Sequence, residues 1–166
     1  MRCPEESELI ERIALALIQR RERMGTAESC TGGLIAAACT SLAGSSQWFE
    51  RGVVSYSNQS KTELLGVPAA LIELHGSVSG EVATHMAHGL LAPAPIGGAL
   101  AVTRIGGPSG GSEAKPVGTV WLALVHERQP VRVWKELFPG DRQEVRLQTV
   151  RAGLTALCEA LEDRDR

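Results

Sequence analysis

The chain has 166 residues, of which 43% are hydrophobic and 22% are charged, a composition typical of a compact globular protein rather than a disordered or fibrous one. At this length we expect one domain over residues 1–166. Seventeen basic against nineteen acidic residues give a formal net charge of −2, which argues against a nucleic-acid or anionic membrane partner. Because no apolar run approaches the ~18 residues of a membrane span and the first residues are acidic, we expect a cytoplasmic protein.

Cysteine and histidine give no signal for a disulfide or a metal site. The four cysteines are scattered without a C-x-x-C pair, so we expect reduced thiols. His85 and His88 lie three residues apart on one predicted helix, but no third ligand is in view. No metal site is therefore predicted.

The amino-terminal half alternates predicted helices and strands. Apolar residues at helical spacing predict a first helix over 5–23, which Gly25 is expected to end. The next elements are a short strand, a tight loop, an alanine-rich helix and a β-branched second strand, predicted at 26–28, 29–33, 34–42 and 52–56.

The second half continues the alternation, with helical segments predicted at 61–65, 68–74 and 79–91. Residues 99–103 are almost entirely apolar, as expected of a central strand, and a glycine-rich loop follows at 106–111. Strands are predicted at 117–125 and 131–138, the last charged enough to lie at a sheet edge, and Asp141 is expected to cap a final helix. This order predicts an α/β layered sheet with ligand-binding loops at strand ends.

The loop after the first strand places hydroxyl groups and two glycines between a strand and a helix. Ser29 is a candidate nucleophile there, and the N–H groups near Gly32 and Gly33 suit an oxyanion or a phosphate. Pattern alone favours a plainer explanation, in which Thr31 caps the helix and the glycines allow close packing. Cys30 is an alternative nucleophile.

A second segment supplies a candidate base and a phenol, Lys61 and Tyr56. Lysine acts as a base only where desolvation or a nearby cation lowers its pKa from about 10.4. On spacing alone, Lys61 is more often a solvated lysine at a helix start, and Tyr56 a packed strand aromatic.

Two further features are weaker signals. The loop over 103–111 matches neither a Walker motif nor a dinucleotide fingerprint. Arg142 opens the final helix, where a guanidinium and free N–H groups can hold a phosphate, although a surface arginine is the more frequent explanation. Trp48 and Phe49 are expected in packing or subunit contacts rather than in a ligand platform.

Six segments taken in chain order carry a family resemblance: AESCTGG at 27–33, GSS at 44–46, GVVSYSN at 52–58, LGV at 65–67, HGSVS at 75–79 and KPVG at 115–118. This series resembles the CinA carboxy-terminal domain family over nearly the whole chain. The resemblance implies a three-layer α/β/α sandwich around a mixed, mostly parallel sheet of about five strands. It also implies a homo-oligomer that needs no metal or organic cofactor.

Members of that family with demonstrated activity are nicotinamide-nucleotide amidohydrolases, which convert nicotinamide mononucleotide and water to nicotinate mononucleotide and ammonia. The family is described as using a serine and lysine pair assisted by a tyrosine. Those motif positions here are Ser29, Lys61 and Tyr56. The resemblance thus implies a small-molecule nucleotide substrate, with substrate contacts expected from Thr31, Gly32, Gly33, Thr103, Arg104, Gly107 and Arg142.

One departure stands in the glycine-rich loop, where the family commonly reads GIAGPDGG and this chain reads RIGGPSGG over 104–111. An arginine in place of the first glycine either fills substrate space or adds a cation. Two alternatives therefore stay open beside the amidohydrolase hypothesis. One is a nucleotide-binding member with impaired catalysis, and the other is an amidohydrolase acting on another small amide.

Overall fold

The computed structural model describes residues 4–104 and 116–163, which form six α-helices and one sheet of five strands. The elements in chain order are α1 (Pro4–Arg20), β1 (Met24–Glu28), α2 (Leu34–Thr40), a short 3₁₀ turn (Ser45–Gln47), β2 (Phe49–Val54), α3 (Asn58–Leu65), α4 (Ala69–His75), α5 (Gly80–Leu91), β3 (Gly98–Arg104), β4 (Thr119–His126), β5 (Gln129–Leu137) and α6 (Arg142–Glu162).

The strand order is β2-β1-β3-β4-β5, which makes β1 and β3 neighbours at the centre of the sheet. The β1–β2 and β1–β3 pairs are parallel, whereas β3–β4 and β4–β5 are antiparallel, so four strands share one direction and β4 opposes them. The predicted α/β fold with a mixed five-stranded sheet is confirmed. β5 lies at an edge, as its charged residues predicted.

Helices cover both faces of the sheet because side chains alternate along each strand. On one face, Leu100 and Val102 of β3 join a core with α1, α2 and α6. On the other, Ala99 and Ala101 join the core formed with α3, α4 and α5. The small alanine side chains let α5 approach the sheet closely.

Two boundary predictions in the amino-terminal half are wrong. α1 ends at Arg20, because Arg21 adopts a left-handed conformation and the N–H of Glu22 donates to the Leu17 carbonyl at 3.0 Å. Gly25 instead lies within β1, where a Cβ would be 2.9 Å from the Arg51 carbonyl oxygen. The second strand spans Phe49–Val54, so Tyr56 comes after the strand.

The core contains the aromatic pair and three of the cysteines that the sequence analysis considered. Trp48 and Phe49 pack edge to face in the core, with ring centroids 6.1 Å apart. Cys30, Cys39 and Cys158 are buried free thiols. Within 4–104 and 116–163, no helix is both long and apolar enough to cross a membrane.

Close contact between α5 and the end of α3 depends on Gly89. A Cβ at this position would be 1.7 Å from the backbone carbonyl oxygen of Leu65, so only glycine fits. Because α3 carries Lys61, this contact also helps to hold that lysine against the sheet.

We predict that Gly89→Ala destabilises the fold by about 1–3 kcal/mol or more, since the backbone of one helix must move. Thermal unfolding should show a Tm lower by roughly 2–4 °C for each kcal/mol. Gly97→Ala is the matched control, because the nearest heavy atom to its added Cβ is 3.5 Å away. Equal Tm values for the two variants would contradict this packing.

Candidate active site

Ser29 lies at the carboxyl end of β1, beside the end of β3. Its backbone N–H donates to the Val102 carbonyl at 3.1 Å, which extends the β1–β3 pairing by one residue. The side chain is buried. The hydroxyl is thus held at the carboxyl edge of the two central parallel strands, the usual ligand-binding edge of such sheets.

The carboxylate of Glu28 caps α2. It accepts the N–H groups of Gly33, Ile35 and Ala36 at 3.0, 3.1 and 2.8 Å, together with the Thr26 hydroxyl at 3.1 Å. Glu28 is fully buried, so these four donors and the positive end of the helix dipole compensate its charge. The prediction that Thr31 caps the helix is wrong. The N-cap residue is Gly33, which has no side chain that could accept a hydrogen bond from the helix.

The loop between Ser29 and α2 requires glycine at two positions. Gly32 and Gly33 have φ values of 61° and 93°, which other residues rarely adopt. The Gly32 N–H donates to the Ser29 carbonyl at 3.1 Å. Thr31 has a buried hydroxyl oxygen without a hydrogen-bond partner, and its carbonyl accepts from Arg146 Nη2 at 2.9 Å.

Lys61 reaches Ser29 from the first turns of α3. The Ser57 and Ser60 side chains form a capping box that starts this helix. The Lys61 side chain points inward and is 2% exposed, with Nζ 3.1 Å from Ser29 Oγ and 3.0 Å from the Ser55 carbonyl oxygen. The expectation of a solvated lysine, drawn from spacing alone, is therefore wrong.

Burial sets the protonation chemistry of the pair. Desolvation lowers the pKa of the Lys61 ammonium from its ordinary value, which favours the neutral amine. Desolvation also raises the pKa of the neighbouring Cys30 thiol to about 11, which disfavours the thiolate. Ser29, which contacts the lysine directly, is thus a better candidate nucleophile than Cys30.

Tyr56, the predicted assisting tyrosine, lies on the protein surface. Its side chain is 58% exposed rather than packed in a strand, and its hydroxyl accepts a hydrogen bond from Arg142 Nη2. Arg142 is the first residue of α6, which Asp141 caps as predicted. Among the contacts of the described residues, the phenol makes no hydrogen bond to Ser29 or Lys61.

The end of β3 supplies two more predicted site residues. The Thr103 hydroxyl donates to the Ser77 carbonyl at 2.9 Å and is buried. Arg104 is also buried, and its Nη1 donates to the Arg142 carbonyl at 3.4 Å. Gly107 and the rest of the predicted loop at 106–111 lie outside the described residues.

Two residues of the site were not predicted from the sequence: Glu28, which caps α2, and Arg146, which contacts the loop after Ser29. Arg146 follows Arg142 by one helical turn, so their i, i+4 spacing was an available signal. Glu28 is the last residue of β1, and its role depends on a loop geometry that the sequence does not display. Across 4–104 and 116–163, no cluster of three potential ligands among His, Cys, Asp and Glu is placed to hold a metal ion.

The model of the CinA C-terminal domain family matches residues 6–161. The chain belongs to this family. This CinA C-terminal domain is 48% identical over 157 residues to the nicotinamide-nucleotide amidohydrolase PncC of Enterobacter agglomerans, a match covering 94% of this chain and 96% of the relative. The protein of the same name from Shigella flexneri is 46% identical over 153 residues, covering 92% and 93%.

Solved structures of similar proteins agree with this assignment. The competence/damage inducible protein CihA from Agrobacterium tumefaciens superposes on this CinA C-terminal domain with a TM-score of 0.92, at 42% identity and with 98% of each chain covered. The family resemblance and the fold that it implied are therefore confirmed.

We predict that Glu28→Gln destabilises the protein by about 1–3 kcal/mol, because in either orientation the amide group faces an N–H donor of α2. Denaturant unfolding measures the loss. Glu73→Gln, an exposed acid on α4, is the control and should unfold like the wild type. A Glu28→Gln midpoint equal to that of the control would show that the carboxylate does not hold the loop.

Proposed function

We propose that this chain is a nicotinamide-nucleotide amidohydrolase, which hydrolyses the carboxamide of nicotinamide mononucleotide to nicotinate mononucleotide and ammonia. The observation that carries the proposal is the 3.1 Å contact between the buried Lys61 Nζ and Ser29 Oγ. It is supported by relatives with this name that are 46% and 48% identical to the chain.

In the proposed reaction, neutral Lys61 accepts the hydroxyl proton as Ser29 Oγ attacks the carboxamide carbon. The tetrahedral intermediate collapses when Lys61 returns that proton to the leaving nitrogen, which departs as ammonia and leaves an ester on Ser29. Lys61 then takes a proton from the water that attacks the ester, and it returns this proton to Ser29 Oγ as the ester bond breaks and the acid is released. The lowered pKa of Lys61 matters because it increases the fraction of this side chain that is neutral near pH 7.

The loop after Ser29 suggests where the oxyanion binds. The Gly32 and Gly33 N–H groups donate to the Ser29 carbonyl and to Glu28, so they are occupied. The next candidates are the N–H groups of Cys30 and Thr31, which follow the nucleophile directly and donate to no backbone acceptor among the described residues. An N–H following the nucleophile is a common oxyanion donor in hydrolases.

Tyr56 and Arg142 act in this proposal on the substrate rather than on the lysine. Their hydrogen bond holds the phenol and the guanidinium together at the rim of the site. Arg142 is proposed to contact the phosphate, and Tyr56 to orient the nucleotide. A homo-oligomeric state, a cytoplasmic location and the absence of nucleic-acid or membrane partners stay predictions.

We predict that Ser29→Ala reduces kcat for ammonia release from nicotinamide mononucleotide at least about a thousandfold, because the nucleophile is lost. Nucleotide binding by calorimetry should persist. Ser46→Ala, at an exposed position of the 3₁₀ turn, is the matched control and should retain wild-type turnover.

Three other results of this assay separate the alternatives. Near-normal turnover by Ser29→Ala would exclude the serine mechanism. Wild-type protein that binds the nucleotide without releasing ammonia would indicate a binding protein with impaired catalysis. Release of ammonia only from other members of a small amide panel would indicate a different substrate.

We predict that kcat/KM rises with pH. Lys61 acts as a base only when it is neutral, and its neutral fraction increases with pH. Because burial lowers its pKa, this increase occurs below the ordinary lysine pKa of about 10.4. A pH–rate series on the wild type and on Lys135→Arg, an exposed lysine of β5, should show the same rise. A flat profile, or an active Lys61→Arg variant, would contradict the neutral-lysine mechanism.

A further inference from the structure

Arg104 is a buried cation whose charge has no counter-ion among the described residues. Its side chain is 7% exposed, and its Nη1 makes one long hydrogen bond of 3.4 Å to the Arg142 carbonyl. Its Nε is buried without any hydrogen-bond partner. Within the described ranges, no carboxylate lies within ion-pair distance of this guanidinium. A buried charge in this state is costly unless an anion joins it.

The position of Arg104 places this charge beside the Ser29 loop. β3 ends at Arg104, and Val102, two residues earlier on this strand, pairs with Glu28, the residue before Ser29. The positive charge of Arg104 acts on Cys30, where it partly offsets the rise in the pKa of the thiol. The guanidinium is therefore close to the first turn of α6, and its charge reaches residue 30.

Arg146 approaches the same loop from α6, and it too has a guanidinium nitrogen without a hydrogen-bond partner. Its Nη2 donates to the Thr31 carbonyl, while its Nε is buried without a partner. Arg142, one turn earlier on the helix, directs its guanidinium to Tyr56. Like Arg104, neither arginine forms an ion pair with a carboxylate of the described residues.

We infer that Arg104 and Arg146 join Arg142 in binding the phosphate of a mononucleotide substrate, and that Arg104 makes this chain selective for the phosphorylated form over the nucleoside. This inference rests on the proposed function, which it deepens. Two guanidinium groups, each with an Nε that has no hydrogen-bond partner, suit a phosphate dianion, because guanidinium N–H groups form charge-assisted hydrogen bonds to its oxygens.

Charge also decides which end of the nucleotide lies at these arginines. The pyridinium ring is positive and would be repelled by the cluster, whereas the phosphate would be attracted. The carboxamide is then left to Ser29 and Lys61, whose hydrogen bonds among the described residues involve no carboxylate. The arginine that replaces the common family glycine would thus strengthen substrate binding instead of blocking it.

The test compares Arg104→Gln with wild type on nicotinamide mononucleotide and on nicotinamide riboside, which lacks the phosphate. Arg128→Gln removes the same charge from the exposed β4–β5 turn at the opposite end of the sheet and is the control. We expect Arg104→Gln to lower kcat/KM for the mononucleotide by roughly tenfold to a hundredfold, mainly through KM, and to leave the value for the riboside unchanged.

A binding measurement with inorganic phosphate makes the test independent of turnover. Added phosphate should raise the Tm of wild type and of Arg128→Gln but not that of Arg104→Gln. In phosphate-free buffer, the Arg104→Gln Tm should equal or exceed that of wild type, because an uncompensated charge is removed.

Equal losses on both substrates would overturn the inference, since Arg104 would then only position the site. An unchanged or improved kcat/KM for the mononucleotide would overturn it as well. If wild type releases no ammonia from either substrate, the proposed function fails; the phosphate-dependent Tm shift then still reports whether Arg104 and Arg146 hold an anion.

Discussion

The hydrogen bond between Lys61 and Ser29 is the interaction on which the account of this site depends. It joins residues 32 positions apart in the chain and places a lysine amine in the interior, with Ser55 as its other partner. A buried lysine destabilises the folded state relative to an exposed one as long as it is charged. The same desolvation lowers its pKa and makes it a usable base, so a stability cost and a chemical capacity have one cause.

The elements around this pair hold it in place by saturating backbone donors. Glu28 occupies the amino terminus of α2, while the Ser55 N–H donates to the Glu28 carbonyl at 2.8 Å and so links β2 to β1. The carbonyl of the same Ser55 accepts from Lys61. The backbone of Ser55 therefore connects the strand that precedes Ser29 to the Lys61 side chain, and this connection fixes the two side chains relative to each other.

The sequence predicted the features that depend on local pattern. The alternation of helices and strands, the edge position of β5 and the cap at Asp141 all follow from spacing, charge and residue type. The burial of Lys61 does not follow from local pattern. It requires α3 to pack against α5 at Gly89 with the Lys61 side chain directed inward. The pairing of Ser29 with Lys61 came from the family resemblance, and the structure brings the two side chains into contact.

The helix cap shows why a frequent local rule can fail. Threonine is a common N-cap, and Thr31 stands close to the start of α2. Glu28 supplies two oxygens that accept three N–H groups of this helix, which a single hydroxyl cannot do. The longer side chain reaches the helix only because Gly32 and Gly33 turn the loop back, a geometry that requires the whole β1–α2 segment.

The most direct test of the central claim is a titration of the lysine side chains by ¹⁵N NMR. The chain contains three lysines, Lys61, Lys115 and Lys135, so the side-chain signals are few, and the Lys61→Met variant identifies the one of interest. We predict that the Lys61 ammonium titrates below the ordinary lysine value of about 10.4, because burial lowers its pKa. If Lys61 instead titrates at or above that value, it is charged at neutral pH and cannot serve as the base for Ser29.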